Sequence, residues 1–193
     1  MPRTHGIHWI ATTFGSWLHG DPRGSWRNGE LIGPDPFCEE AIRRRMTADA
    51  VTLSDLEMIL VATAFGESVV KKNWPVLAAT VHPTHTHVVF APLADPIQRV
   101  IATLKSRSAR RVLALRRQMR CPVGRSLWTE GQFAVFIFSE RHLHNAIAYV
   151  RRHNDRIGRP QDAYPWVQPL AVGEKPVRQT PGCEKPAQDG PAI

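Results

Sequence analysis

Two short segments carry the residues best suited to chemistry. His85 and His87 open the run HTHVVFAP, whose β-branched and aromatic residues predict a strand. Alternate residues of a strand point to the same face, so both imidazoles project together while Thr86 points the other way. Tyr149 and His153 lie four residues apart in AIAYVRRHN, a helical pattern that places them on one face.

If the strand and the helix meet, three imidazoles and one phenol converge. Imidazoles hold divalent metals, a bound metal polarises a phosphoryl oxygen, and a phenolate can attack the phosphorus. The pattern therefore predicts the chemistry of a tyrosine nuclease. The simpler alternatives stay open at this point, since a His-x-His pair is more often structural than ligating and a helical tyrosine often only packs its ring.

The segments HTHVVFAP, SLWTEGQF and AYVRRHN, in this order, resemble the successive blocks of the IS200-like transposases. These include the REP-associated tyrosine transposases and belong to the HUH endonuclease superfamily. The likeness covers residues 5–158. It implies a ferredoxin-like fold and cleavage of single-stranded or hairpin DNA through a covalent 5′-phosphotyrosine, which leaves a free 3′-hydroxyl.

The resemblance also implies roles for individual residues. His85 and His87 match the metal-binding histidines, Tyr149 matches the nucleophile, and His153 falls where relatives place a Gln or Asn ligand. The family's divalent metal is Mg²⁺ or Mn²⁺, although a three-imidazole set also suits Zn²⁺. Thr86 departs from the larger hydrophobic residue that is usual between the two histidines. His82 differs from His85 in strand parity and is interpreted as a turn residue.

A long basic stretch favours a polyanionic partner. Between Pro96 and Thr129 the sequence has nine Lys or Arg residues and no acidic residue, in a chain of net charge +8. Such a field attracts nucleic acid; the alternative is an ordinary solvated helix face. The residues predicted to contact DNA are Lys105, Arg107, Arg110, Arg111, Arg116, Arg117 and Arg120 in the stretch, and Arg151 and Arg152 beside Tyr149.

The periodicity predicts the order β-α-β-β-α-β-α, an α+β fold of the ferredoxin-like split βαβ type with an antiparallel sheet. The C-terminal helix carries the tyrosine. Ser54 and Glu57 form a capping box that begins a helix over 54–71. Asp95 followed by Pro96 predicts a helix with Asp95 as its cap. The strands are expected over 4–14 and 133–138 and on both arms of a hairpin around HPT.

A change in composition predicts the boundary between a folded domain and a tail. Residues 1–158 are predicted to form the nuclease domain, and the Pro-rich residues 159–193 a flexible tail in which Trp166 and Val167 can dock. Residues 15–36 are expected to form a loop or small hairpin, followed by a short basic helix over 37–48. Three widely spaced cysteines without a CxxC pair, the lack of a signal region and the lack of a long apolar run predict a cytoplasmic protein without a membrane span.

The residues thus favour a metal-dependent, single-tyrosine DNA endonuclease and strand transferase. A rival of another class is a non-catalytic, domesticated nucleic-acid-binding protein on the same fold. A replication-initiator nuclease of the same superfamily is a third reading, disfavoured because the chain has no helicase or origin-binding extension. Monomer and homodimer both remain open, since the resemblance extends to relatives of each kind.

Overall fold

A computed structural model describes residues 4–27, 30–122, 124, 126–131 and 133–168. Within these residues the elements follow in this order: β1 (Gly6–Thr12), β2 (Ser25–Arg27), β3 (Glu30–Ile32), α1 (Pro36–Arg45), α2 (Asp55–Lys72), β4 (Val76–Val81), β5 (His85–Phe90), α3 (Ile97–Gln118), β6 (Phe133–Ile137) and α4 (Glu140–Arg156).

The larger compact unit, residues 4–16 and 47–168 among those described, is built on one antiparallel sheet. Its strand order is β4-β5-β1-β6, and every neighbouring pair runs antiparallel. The strands β1 and β4 are therefore parallel to each other, with β5 between them and α2 connecting them. This is the split βαβ topology, and it confirms the predicted α+β fold with a C-terminal helix that carries the tyrosine.

Different helices cover the two faces of the sheet. Trp9, Val88 and Phe90 point into a core that α2 and α3 cover, and Thr86 lies fully buried on this same face. The neighbouring residue Val89 belongs instead to a second apolar cluster, which α4 covers with one stripe of side chains: Leu143, Ala146, Ile147 and Val150. Since successive strand residues face opposite ways, α3 and α4 lie on opposite sides of the sheet.

Local signals set where the helices begin, with one difference from expectation. Ser54 and Glu57 make the predicted capping box. The predicted cap at Asp95 is wrong, because Pro96 is the N-cap of α3 and makes no side-chain cap bond. The Asp95 carboxylate instead accepts a hydrogen bond from the Trp74 indole N–H at 2.9 Å, a partner distant in sequence.

The first ten residues of the predicted tail, 159–168, belong to the larger unit. The strand β4 lies at an edge of the sheet, and this segment bonds two of its backbone groups. The Tyr164 hydroxyl accepts a hydrogen bond from the Val81 N–H at 3.1 Å, and the Gln168 N–H donates to the Val76 carbonyl at 2.7 Å. Trp166 lies on Gly66 of α2, at a point where a Cβ on residue 66 would be 2.3 Å from the indole Cδ1. Residues 169–193 are outside the described part of the chain.

The smaller unit contains the described residues 17–27 and 30–46. It holds the β2–β3 hairpin and α1. Of the two structures expected for residues 15–36, a loop or a small hairpin, the structure contains the hairpin, and α1 is the predicted basic helix. Trp17 stacks under the Arg23 guanidinium at 4.1 Å, and Arg23 pairs with Asp21. Over the residues described, every helix is too short or too polar to cross a bilayer.

Candidate functional site

The β4–β5 hairpin positions the histidine pair. His85 and His87 lie opposite Thr12 and Ile10 of β1, so both face the side of the sheet that α4 covers, as strand parity predicts. Their rings lie 5.0 Å apart, nearly perpendicular. Thr86 points to the opposite face, where its hydroxyl donates to the Thr80 carbonyl at 2.6 Å. A buried threonine is accommodated there because its hydroxyl has a partner.

The helix α4 brings the tyrosine to this cluster. Its apolar stripe packs on the sheet, and Tyr149 and His153 lie beside the stripe, one turn apart. The Tyr149 ring centroid is 4.5 Å from that of His153 and 5.6 Å from that of His87. His153 is 4.8 Å from His87 and 5.7 Å from His85. The structure therefore brings together all four residues that the sequence analysis singled out.

His82 also belongs to the cluster, which overturns its interpretation as a residue of the wrong parity. Parity counts only within one strand, and the chain reverses between Val81 and His85. The His82 N–H donates to the His85 carbonyl at 2.8 Å, so the two residues face each other across the hairpin and share a face. Their rings stack at 4.6 Å with an interplanar angle of 22°.

His8 is a second histidine that the sequence analysis missed. It lies on β1, between the core residues Ile7 and Trp9, and therefore points to the site face. Its Nε2 lies 3.1 Å from Nδ1 of His87, and its ring is 6.3 Å from that of Tyr149. The sequence signal that could have identified His8 is the alternation of β1, which places residue 8 on the opposite face from the apolar residues of that strand.

Burial lowers the pKa of three of these imidazoles, those of His8, His82 and His87. Desolvation lowers the pKa of His8 to about 4, with His142 and His153 adding to the effect. Burial, and then the neighbouring imidazoles, hold the pKa of His87 well below 6.5. The pKa of His82 is also lowered, first by burial and then by Arg156 and Arg159. A neutral imidazole is the form that binds a metal.

The donor set fits a divalent metal. One ring nitrogen each of His82, His85 and His153 lies within 4.8 Å of the other two. His85 and His87 each engage Nδ1, with the Thr84 hydroxyl at 3.2 Å and with His8. A hydrogen-bonding contact at one ring nitrogen restricts the orientation of an imidazole, which helps to direct the ring of a metal-binding histidine.

Most of the basic residues predicted to contact DNA have partners within the protein. Arg116 pairs with Glu57 at 2.5 Å, and Arg111 with Glu67 at 2.5 Å. The Lys105 ammonium donates to the carbonyls of Thr129 and Gly131. Arg107 lies 3.4 Å from the Ser68 hydroxyl, and Arg151 pairs with Asp162 at 3.1 Å.

The remaining predicted contacts are exposed. Arg110, Arg117 and Arg120 lie on or just after α3, whereas Arg152 lies on α4, one residue before His153. Arg156 and Arg159, which lower the pKa of His82 through their positive charge, were not among the predicted contacts. DNA contact by the nine residues named above stays a prediction.

Comparisons with known proteins give the family. The model of the family described as "Transposase IS200 like" matches residues 44–153. A structure of a REP-associated tyrosine transposase bound to a REP hairpin is similar at 10% identity and a TM-score of 0.46, over 82% of this chain and 72% of that one.

A second structure, from Deinococcus radiodurans R1 and described as a candidate transposase, is similar at 15% identity and a TM-score of 0.42. The alignment covers 79% of this chain and 92% of that one. None of the curated proteins matches. Because the family match spans more than half of the 193 residues, the chain belongs to the family of IS200-like transposases.

Proposed function

We propose that this transposase is a metal-dependent, single-tyrosine DNA endonuclease and strand transferase. Tyr149 is the nucleophile in this proposal, and the imidazoles of His85, His87 and His153 bind the metal. One observation carries it: the Tyr149 ring lies 4.5 Å from that of His153 and 5.6 Å from that of His87. A phenol set at that range among clustered imidazoles matches the arrangement that metal-assisted nucleophilic phosphoryl transfer needs.

The reaction we propose is a transesterification. The Tyr149 Oη attacks the scissile phosphorus, a new O–P bond forms, and the bond from phosphorus to the 3′-oxygen breaks. The 3′-oxygen leaves and takes up a proton, while the proton of the phenol passes to water. The 5′-phosphate remains on Tyr149 as a phosphodiester, so a 3′-hydroxyl can reverse the reaction and join strands without an external energy source.

The protein's own residues prepare this step. A free phenol has a pKa of about 10 and is a weak nucleophile at neutral pH. A divalent cation held by the imidazoles would polarise the phosphate and favour the phenolate. The packing of α4 on the sheet fixes Tyr149 relative to the hairpin, which limits the motion that the attack has to overcome. His8 holds the ring of His87 through the 3.1 Å contact.

The proposed partner is single-stranded or hairpin DNA, held through its phosphates by exposed cations. Arg152 contacts the strand at the site in this proposal, whereas Arg110, Arg117 and Arg120, on the other side of the sheet, add only a weaker attraction for the phosphates. All of the proposed site residues come from one chain, so the chemistry needs no second copy, and a homodimer is not required. The cytoplasmic location expected from the sequence stays a prediction.

The test is a covalent adduct assay. Purified protein is incubated with Mn²⁺ and a pool of labelled single-stranded and hairpin oligonucleotides, then denatured and separated by size. We expect a labelled protein band that Tyr149→Phe abolishes without loss of DNA binding. Tyr164→Phe is the matched control, because Tyr164 is the only other tyrosine and its hydroxyl bonds the edge of the sheet.

A negative result separates the alternatives. If the wild type binds DNA tightly but forms no adduct with any metal or oligonucleotide, the non-catalytic nucleic-acid-binding protein replaces the enzyme as the function. If Tyr149→Phe still forms the adduct, a different nucleophile does the chemistry and the proposed site is wrong.

A further inference from the structure

His82 has the surroundings of a metal ligand. Its Nε2 lies 2.9 Å from the backbone carbonyl oxygen of His153, and a carbonyl oxygen only accepts hydrogen bonds. The Nε2 therefore carries the proton, and Nδ1 keeps its lone pair. Histidines that bind metals in general donate their second ring N–H to such an acceptor, which fixes both the tautomer and the direction of the ring.

The neighbouring rings place further donors within reach. His82 stacks on His85 and stands edge-on to His153, with ring centroids 5.2 Å apart. One nitrogen of each ring lies within 4.8 Å of the others. A divalent metal binds imidazole nitrogen at about 2.0–2.1 Å, so adjacent donors on one ion lie about 3–4 Å apart. The three nitrogens need to close by only about an ångström to share an ion.

The elements that carry these rings are held in place. His82 and His85 are joined across the hairpin by the 2.8 Å backbone hydrogen bond, and the Pro83 carbonyl at its turn accepts from the Leu53 N–H at 2.7 Å. His153 is buried on α4 and tied to His82 through its carbonyl. Ligands on such fixed elements lose little conformational freedom when they bind an ion.

We propose that His82 is a metal ligand that joins His85, His87 and His153, and that this nitrogen-only set selects a borderline metal such as Co²⁺ or Zn²⁺ over Mg²⁺. Mg²⁺ prefers oxygen donors, whereas imidazole suits the later first-row metals. The inference deepens the proposed function, because it concerns the metal of the same site. It adds a residue to the expected set of His85, His87 and His153.

A purely structural His82 is the competing account, since its Nε2–H also ties the hairpin to α4. His82→Gln separates the two roles. The glutamine Nε2 lies close to where the histidine Nε2 was and can still donate to the His153 carbonyl, but it offers no nitrogen lone pair at the position of Nδ1. His144→Gln is the matched control, because His144 is exposed on α4.

The measurement is Co²⁺ and Mg²⁺ titration of the DNA-free protein, followed by the visible absorption of Co²⁺ and by calorimetry. We expect the wild type to bind Co²⁺ more tightly than Mg²⁺. His82→Gln should weaken Co²⁺ binding at least about tenfold and change the visible bands, while its metal-free melting temperature and Mg²⁺ affinity stay near wild type. His144→Gln should match the wild type.

Unchanged Co²⁺ affinity and bands in His82→Gln would overturn the inference, as would a wild type that binds Mg²⁺ as tightly as Co²⁺. Loss of metal-free stability with unchanged Co²⁺ binding would assign His82 to the structural role instead. No DNA is present, so these outcomes are independent of the adduct assay. A missing adduct would refute the proposed chemistry and leave this result standing.

Discussion

The helices α3 and α4 are both basic, yet they cover opposite faces of one sheet and use their charges differently. On α3, the carboxylates of α2 neutralise Arg111 and Arg116, so part of the charge holds the fold together. On α4, Arg152 and Arg156 are exposed, and the same helix carries Tyr149, whose ring lies 4.5 Å from that of His153. A count of basic residues along a sequence therefore overstates the charge that is available to DNA.

The largest expected effect concerns the α4 side. Removing divalent metal with a chelator should slow adduct formation at least about a thousandfold, since a metal supplies several kcal/mol of transition-state stabilisation. DNA binding in a mobility-shift assay should persist, because exposed cations hold the backbone. Mn²⁺ added in excess should restore the adduct. An unchanged rate under chelation would show that the imidazoles do not act through a metal.

The next effect contrasts two neighbours on α3. The Arg116 and Glu57 side chains are only 15% and 9% exposed. The substitution Arg116→Met therefore leaves the Glu57 carboxylate without its ion-pair partner and with little access to water. We expect a loss of about 2 kcal/mol in unfolding free energy, below the cost for a fully buried pair. Arg117→Met removes an exposed charge and should change it by less than about 0.5 kcal/mol. Urea unfolding measures both, and equal losses would contradict the assignment.

The ion pair between Arg116 and Glu57 predicts that the stability of the fold depends on pH. Burial raises the pKa of Glu57, but hydrogen bonds from Arg116 and the Ser54 backbone outweigh it, so the net pKa lies below its usual value of 4.5. A carboxyl with a lowered pKa in the folded state stabilises the fold above its unfolded pKa, and this contribution is lost as the pH falls through the folded pKa. The stability difference between wild type and Glu57→Gln should therefore be constant near neutral pH and shrink below about pH 4.5. A difference that grows on acidification would refute the pairing.

The smallest effect compares the exposed cations of the two helices. Arg152→Gln with Arg156→Gln should weaken single-stranded DNA binding about tenfold and reduce the salt slope by about 1.4, as expected for two lost phosphate contacts. Arg110→Gln with Arg117→Gln, far from the site face, should weaken it by only about threefold. Binding titrations at several salt concentrations measure this. A larger loss from the α3 pair would place the DNA path along α3.

The sequence predicted the elements well where local patterns determine them. The alternation HTHVVF, the capping box at Ser54 and the four-residue spacing of Tyr149 and His153 are local features, and the structure contains all three. The order of these elements was enough to predict the split βαβ topology, because short connections and antiparallel hairpins leave few alternatives.

The missed features depend on which residues meet across the sheet. His82 joins the cluster only because the chain turns within two residues, so that it faces His85. Arg116 is neutralised by a carboxylate 59 positions away, and Asp95 caps no helix because Trp74 engages it. The Pro-rich composition after Gly158 concealed Tyr164, which is buried because β4 has an open edge for it to cover.

The central claim is that the imidazole cluster and Tyr149 form one reactive site, and mapping the adduct tests it most directly. Wild-type protein is reacted with a cleavable oligonucleotide and Mn²⁺, digested with trypsin and analysed by mass spectrometry. The account predicts a 5′-phosphate-linked DNA fragment on the peptide of residues 142–151, at Tyr149. A fragment attached at Tyr164 or any other residue, or cleavage that leaves a free 5′-phosphate and no adduct, would contradict it.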